Sequence, residues 1–330
     1  MFERRRWMPA AGLLTCALAA NAKTKQGDML DVARDAFETS DYAKAVQVLQ
    51  AAAAKAPQNG DIQLLLAKSY FELQEHDAAI NSAERAVAID PKRSVYHEWL
   101  GKAYGEKASH AIMFSAMSLA RKTHKEFEMA VQLDERNFSA RQALVEFYCS
   151  APGIVGGGEE KARPEIEKLA SLDAAEGHYA AGNCRRQKKD LAAADAEFVL
   201  ALESNPKSAD LIYDIGDYAM KHNQPERLAR VADIGQRIAP ADQRAKFYRA
   251  VGLILKNECH EEAEQLLREY LRRAPVRSDH PRPALAHEWL GRLYESQGNK
   301  EAAKEEYQTA LGLDPKSKAA HEALKRVEKN

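Results

Sequence analysis

"HEWLGRLYESQGNKEAAKEEYQTALGLDP" occupies residues 287–315, and its first eight residues nearly repeat "HEWLGKAY" at residues 97–104. The stretch reads as two helices. Helix formers run on either side of Gly298 and Asn299, and Pro315 stops the second segment. Working outward, prolines close a helical pattern at Pro57, Pro91, Pro206, Pro240, Pro275 and Pro315. Pro57 to Pro91 and Pro206 to Pro240 are each 34 residues, a period that calls for a repeat architecture. Small residues keep the same phase: Ala45, Ala79, Ala194, Ala263 and Ala303 each lie twelve residues before a closing proline. Ala52, Ala86, Ala201 and Ala310 lie five before. Helices approach closely only where side chains are small, so these positions predict the seam inside each helical hairpin.

Trp289, Leu290, Gly291, Tyr294, Gly298, Ala303, Tyr307, Ala310 and Pro315 together resemble the tetratricopeptide repeat (TPR) signature. The resemblance covers residues 26 to about 328 and places repeat starts near 26, 60, 94, 138, 175, 209, 244 and 284. It implies an all-α, right-handed α-solenoid of about eight helical hairpins, in which each hairpin buries its apolar face against its neighbours. Residues 317–328 put Ala320, Leu324 and Val327 on one face and charges elsewhere, the pattern of a terminal capping helix. Repeat three carries about ten extra residues around "GEKASHAIMFSAMSLARKTH", which predicts two lengthened helices and a protruding tip. Repeat four carries "APGIVGGG" at 151–158, a glycine loop. "VRSDHPRP" precedes repeat eight as a polar connector.

The N-terminus has a different character. Arg4, Arg5 and Arg6 precede an apolar run from Ala10 to Ala20, and Ala20-Asn21-Ala22 supplies an A-x-A site. This order predicts a Sec-type signal peptide over residues 1–22, cleaved after Ala22, and a periplasmic or secreted chain over 23–330. The apolar run is too short for an ordinary transmembrane helix, so the mature chain is expected not to insert in a membrane. Cleavage removes three Arg and one Glu from the 48 basic and 49 acidic residues. The near-neutral remainder does not point to nucleic acid. Cys149, Cys184 and Cys259 remain; export permits one bridge, and the sequence specifies no pair.

No stretch carries recognisable chemistry. "HEWLG" begins like the H-E-x-x-H zinc helix, but Gly101 and Gly291 stand where the second histidine belongs. The glycine loop lacks the Gly-Lys-Ser/Thr end of a phosphate cradle. No metal or cofactor is therefore expected. The expected function is a non-catalytic scaffold that binds a protein or peptide, with an envelope assembly component as one alternative. A second alternative is an enzyme built from residues 105–122 and 151–158, which would show His110, His124 and an acid converging.

The family resemblance implies that first helices line a concave groove. The residues it places there are Tyr179, Asn183 and Arg186 in repeat five, Tyr213, Asp217 and Met220 in repeat six, and Tyr248 in repeat seven. Rings supply contact area, and amides and charges hold a peptide. The tyrosines either face that peptide as a ladder or pack between neighbouring first helices. A second contact surface is expected at Ile112, Met113, Phe114 and Met117, an apolar cluster at the tip of the third hairpin.

Overall fold

Helix starts are written locally. Asp41, Asn59, Asn137, Asp190, Ser208 and Asn299 each accept a backbone N–H of the first helical turn. These caps satisfy donors that a helix leaves open, at about 1 kcal/mol each. A second device recurs inside the hairpins. Gly298 turns with φ 76°, and Ser40, Gln74, Lys189 and Asn223 hold the same left-handed conformation two residues before the second helix begins. A computed structural model describes residues 29–274, 277 and 279–329. The predicted leader with its expected cleavage site, and the start of the first repeat, lie outside these residues, as does part of the connector before repeat eight.

The fold is all-α, of the α-solenoid class, with no strand among the described residues. The chain divides into two compact units, one ending at Leu133 and one beginning at Asp134. The first holds α1 (29–38), α2 (Tyr42–Lys55), α3 (Gly60–Glu72), α4 (His76–Ile89), α5 (Ser94–Ser109) and α6 (Met113–Leu133). The second runs through α7 (Phe138–Ser150), α8 (Glu159–Leu172), α9 (Ala174–Gln187), α10 (Leu191–Glu203), α11 (Ala209–Lys221) and α12 (Pro225–Ile238). It continues through α13 (Arg244–Lys256), α14 (His260–Arg273), α15 (Pro283–Ser296), α16 (Lys300–Leu313) and α17 (Lys318–Lys329).

Within each unit successive helices pack as hairpins, and first helices also touch the first helix of a neighbouring repeat: α3 with α5, α7 with α9, α11 with α13, and α13 with α15. The in-phase alanines are the seam: Ala45, Ala52, Ala79, Ala86, Ala194, Ala201, Ala263, Ala303 and Ala310 are all fully buried. Larger residues fill the space between helices, with Phe198, Phe247, Tyr248 and Tyr270 in one core cluster of the second unit. Full burial of such a ring contributes about 2–3 kcal/mol. The helix α17 buries Ala320, Ala323 and Val327, and Leu324 packs beside them against Tyr307. The α5–α6 hairpin is long, at 16 and 21 residues against 13 and 14 for α3 and α4. No helix among the described residues is long and apolar enough to cross a membrane.

Candidate functional site

The first helices α9 and α11 place four of the expected groove residues on one cavity of about 520 Å³. Tyr179, Asn183 and Arg186 come from α9, and Asp217 from α11, joined there by Asp214 and Lys221. The Tyr179 hydroxyl donates to Asp214 Oδ2 at 2.9 Å. Burial raises the carboxyls of both Asp214 and Asp217 above the usual range, and pushes the Tyr179 phenol up as well. The wall thus offers half-desolvated acceptors beside the cations Arg186 and Lys221. Such a set can bind backbone amides and charged side chains; the Tyr179 phenol that donates to Asp214 is held protonated by burial rather than activated.

The remaining three groove residues lie elsewhere. Tyr213 and Tyr248 are 3% and 1% exposed, and their rings stack on each other with centroids 5.4 Å apart. The physical reason is Gly216. A Cβ there would lie 2.9 Å from the Tyr248 ring, so the missing side chain admits the tyrosine between the helices. The Tyr248 hydroxyl donates to Asp217 Oδ1 at 2.7 Å, and the Arg244 guanidinium covers the Tyr213 ring at 4.4 Å. Of the two roles open to the tyrosines, these two take the packing role. Met220 packs against the same core. Asp214 was missed by position alone: it is one residue from the frame position occupied by Tyr213, and only the stacked helices show it facing Tyr179.

At the third hairpin, Ile112, Met113 and Phe114 are 79%, 72% and 82% exposed, while Met117 is half-buried. His110 and His124 part company. His124 pairs with Glu128 one turn along α6, at 3.3 Å. His110 lies with Glu106 and His76 instead, a grouping that needs α4 beside α5 and so is invisible to a linear reading.

The histidines of the two octapeptides do structural work. His97 Nδ1 lies 2.6 Å from Glu126 on α6, and His287 Nδ1 lies 2.6 Å from Glu306 on α16. His178, at the equivalent place in repeat five, meets Glu197 at 2.8 Å. Each pair ties the first helix of a hairpin to its second. In the glycine loop, residues Gly153–Val155 form one 3₁₀ turn, Val155 is buried, and Gly158 N–H donates to Tyr148 O. Cys149 and Cys184 form a disulfide between α7 and α9, and Cys259 is free and exposed.

Family models described as tetratricopeptide repeat match residues 36–102 and 255–318. No curated protein matches the chain significantly in sequence. Among solved structures, the chain is similar to TTC0263, a TPR protein of Thermus thermophilus, at 20% identity and a TM-score of 0.47, over 56% of this chain and 94% of that one. A tetratricopeptide repeat protein of Parabacteroides merdae is 12% identical with a TM-score of 0.42, over 92% and 99% of the two chains. PilF of Pseudomonas aeruginosa is 13% identical with a TM-score of 0.42, over 81% and 97%. The two family matches fall on segments where the period, the buried alanines and the hairpin geometry agree, and both segments are tetratricopeptide repeats.

Proposed function

We propose that this chain is a non-catalytic scaffold of the cell envelope that holds a protein segment in the groove of its repeat array, at the cavity between α9 and α11. TPR repeats generally mediate protein–protein interaction. The observation that carries the more specific reading is the convergence of Tyr179, Asn183, Arg186, Asp214 and Asp217 on one cavity, with acceptors and cations side by side. An extended peptide advances about 3.3 Å per residue. A cavity of this size accepts a few residues, with amide N–H groups toward the carboxylates and an acidic side chain toward Arg186. The exposed Ile112, Met113 and Phe114 form a second contact surface. Location in the envelope is supported by the basic, apolar and A-x-A order of residues 1–22 and by a disulfide, a bond that persists in oxidising compartments.

A photo-crosslinking side chain installed at position 183 tests the groove, with position 196 on the exposed face of α10 as the control. Partner adducts should form from 183 and not from 196, and Arg186→Glu should suppress them. Equal adducts from both positions, or adducts indifferent to Arg186→Glu, would remove the groove as the binding site.

A further inference from the structure

The geometry points to a divalent-metal site, of the kind that takes Zn²⁺, formed by His76, Glu106 and His110 where α4 begins and α5 ends. One donor atom from each residue falls within 4.8 Å of the others. The two imidazoles lie nearly parallel, with centroids 5.1 Å apart, and His110 Nε2 is 3.1 Å from Glu106 Oε1. Tetrahedral zinc with ligand distances near 2.0–2.2 Å puts its donors about 3.4 Å apart, so side-chain movements of about 1.5 Å close the set. Glu106 and His110 are one turn apart and project together, as a metal pair on a helix must.

Three further observations favour a cation over a simple surface pair. His76 Nδ1 is buried and has no hydrogen-bond partner, which leaves a polar nitrogen unsatisfied. Ligation through Nδ1 would satisfy that nitrogen and leave Nε2 to meet a partner or a bound water. The group also borders a cavity of about 530 Å³ that includes Glu75, Asp77 and Lys107, with room for water as a fourth ligand. The lysine on that cavity wall, Lys107, is already paired with Asp77. Two imidazoles and one carboxylate suit Zn²⁺; Mg²⁺ and Ca²⁺ take oxygen donors. Helix polarity also helps at Glu106 and His110, because the C-terminal end of α5 attracts positive charge.

A metal held here pins the first turn of α4 to the last turn of α5, joining repeats two and three directly beneath the exposed tip at 112–114. The proposal stands apart from the groove between α9 and α11, and neither depends on the other.

The test is calorimetric titration of the chelator-stripped full chain with Zn²⁺ alone, in a Cys259→Ser background that removes the exposed thiol. The expected result is one Zn²⁺ per chain and a rise in melting temperature. His76→Ala and His110→Ala should each weaken binding at least about tenfold and cancel the rise. Undiminished stoichiometry and affinity in the double variant would overturn the site, as would no binding at about 100 µM Zn²⁺. Should a histidine variant lose helicity, Glu106→Gln decides. This near-isosteric change should also weaken Zn²⁺ about tenfold. Unchanged affinity in a fully helical Glu106→Gln chain would equally overturn the proposal.

Discussion

The repeated octapeptide owes its residue types to two contacts. Its glycine lets an aromatic ring of the second helix lie against the backbone of the first: a Cβ on Gly291 would sit 2.5 Å from the Tyr307 ring, and one on Gly101 would sit 2.6 Å from Phe127. Gly291→Ala should therefore cost about 1–3 kcal/mol by overpacking. Gly312 lies in α16 with nothing within 4 Å of its would-be Cβ, so Gly312→Ala should gain up to about 1 kcal/mol from helix propensity. Denaturant unfolding of the two variants compares them, and equal effects would refute the contact. Its histidine supplies the second contact. His97 faces two acceptors, the Glu126 carboxylate and the Pro91 carbonyl at 2.9 Å, and both are satisfied at once only by the imidazolium. The hydrogen bond to Glu126 is the main cause holding the His97 pKa above its ordinary value, against burial. A group whose pKa is raised by folding stabilises fully below its unfolded value, near 6.5, and loses that contribution as pH climbs through the folded value. Relative to Glu126→Gln, the wild-type chain should thus show excess stability at about pH 5.5 that shrinks by about pH 8.5. A pH-independent difference, or an NMR midpoint for His97 below about 6.5, would contradict this.

At the scale of the element, the α5–α6 hairpin is an ordinary repeat with lengthened helices of 16 and 21 residues. Its lower half is anchored: Ser94 Oγ donates to Ala130 O across the hairpin, Phe127 and Ala130 are buried, and Tyr104 donates to Glu84 on α4. Its upper end meets α4 through Lys107 with Asp77 and His110 with His76, while Ile112, Met113 and Phe114 stand in solvent. Replacing Met113 and Phe114 with Ser should change unfolding free energy by less than about 0.5 kcal/mol, as for exposed positions generally. A loss of several kcal/mol would show the tip buried in the folded protein. Sequence made this hairpin legible because length, helix formers and an apolar cluster are local properties. The seam alanines were legible for the same reason, since a fixed period repeats one local rule. Orientation of a side chain between stacked helices is not local. Tyr179, Tyr213 and Tyr248 share a frame position, yet one borders a cavity and two are sealed by Gly216, Arg244 and each other. The pairing of His76 with His110, and of Cys149 with Cys184, likewise exists only once neighbouring helices are placed.

Across the whole molecule, stabilisation is spread over repeats: within each unit the described helices pack against those one or two elements away in sequence. One covalent tie reinforces that pattern. Cys149 near the end of α7 and Cys184 near the end of α9 are 35 residues apart in sequence, and the disulfide skips α8 to join first helices of successive repeats. Closing a loop of that length removes about 4 kcal/mol of unfolded-chain entropy. The bridge lies within the second unit, so reduction should lower the melting of that unit by roughly ten degrees and leave residues 29–133 unaffected. Hydrogen exchange, read segment by segment with and without reductant, distinguishes the two. Thiol counting joins this prediction to export. A chain cleaved after Ala22 has lost Cys16 and keeps three cysteines. Purified from the envelope and denatured without reductant, it should show one reactive thiol, that of Cys259, and its N-terminus should be Lys23. Two thiols would reveal a retained leader with the bridge intact. Three would mean that Cys149 and Cys184 are reduced, and the tie between α7 and α9 would then contribute no loop-closure entropy.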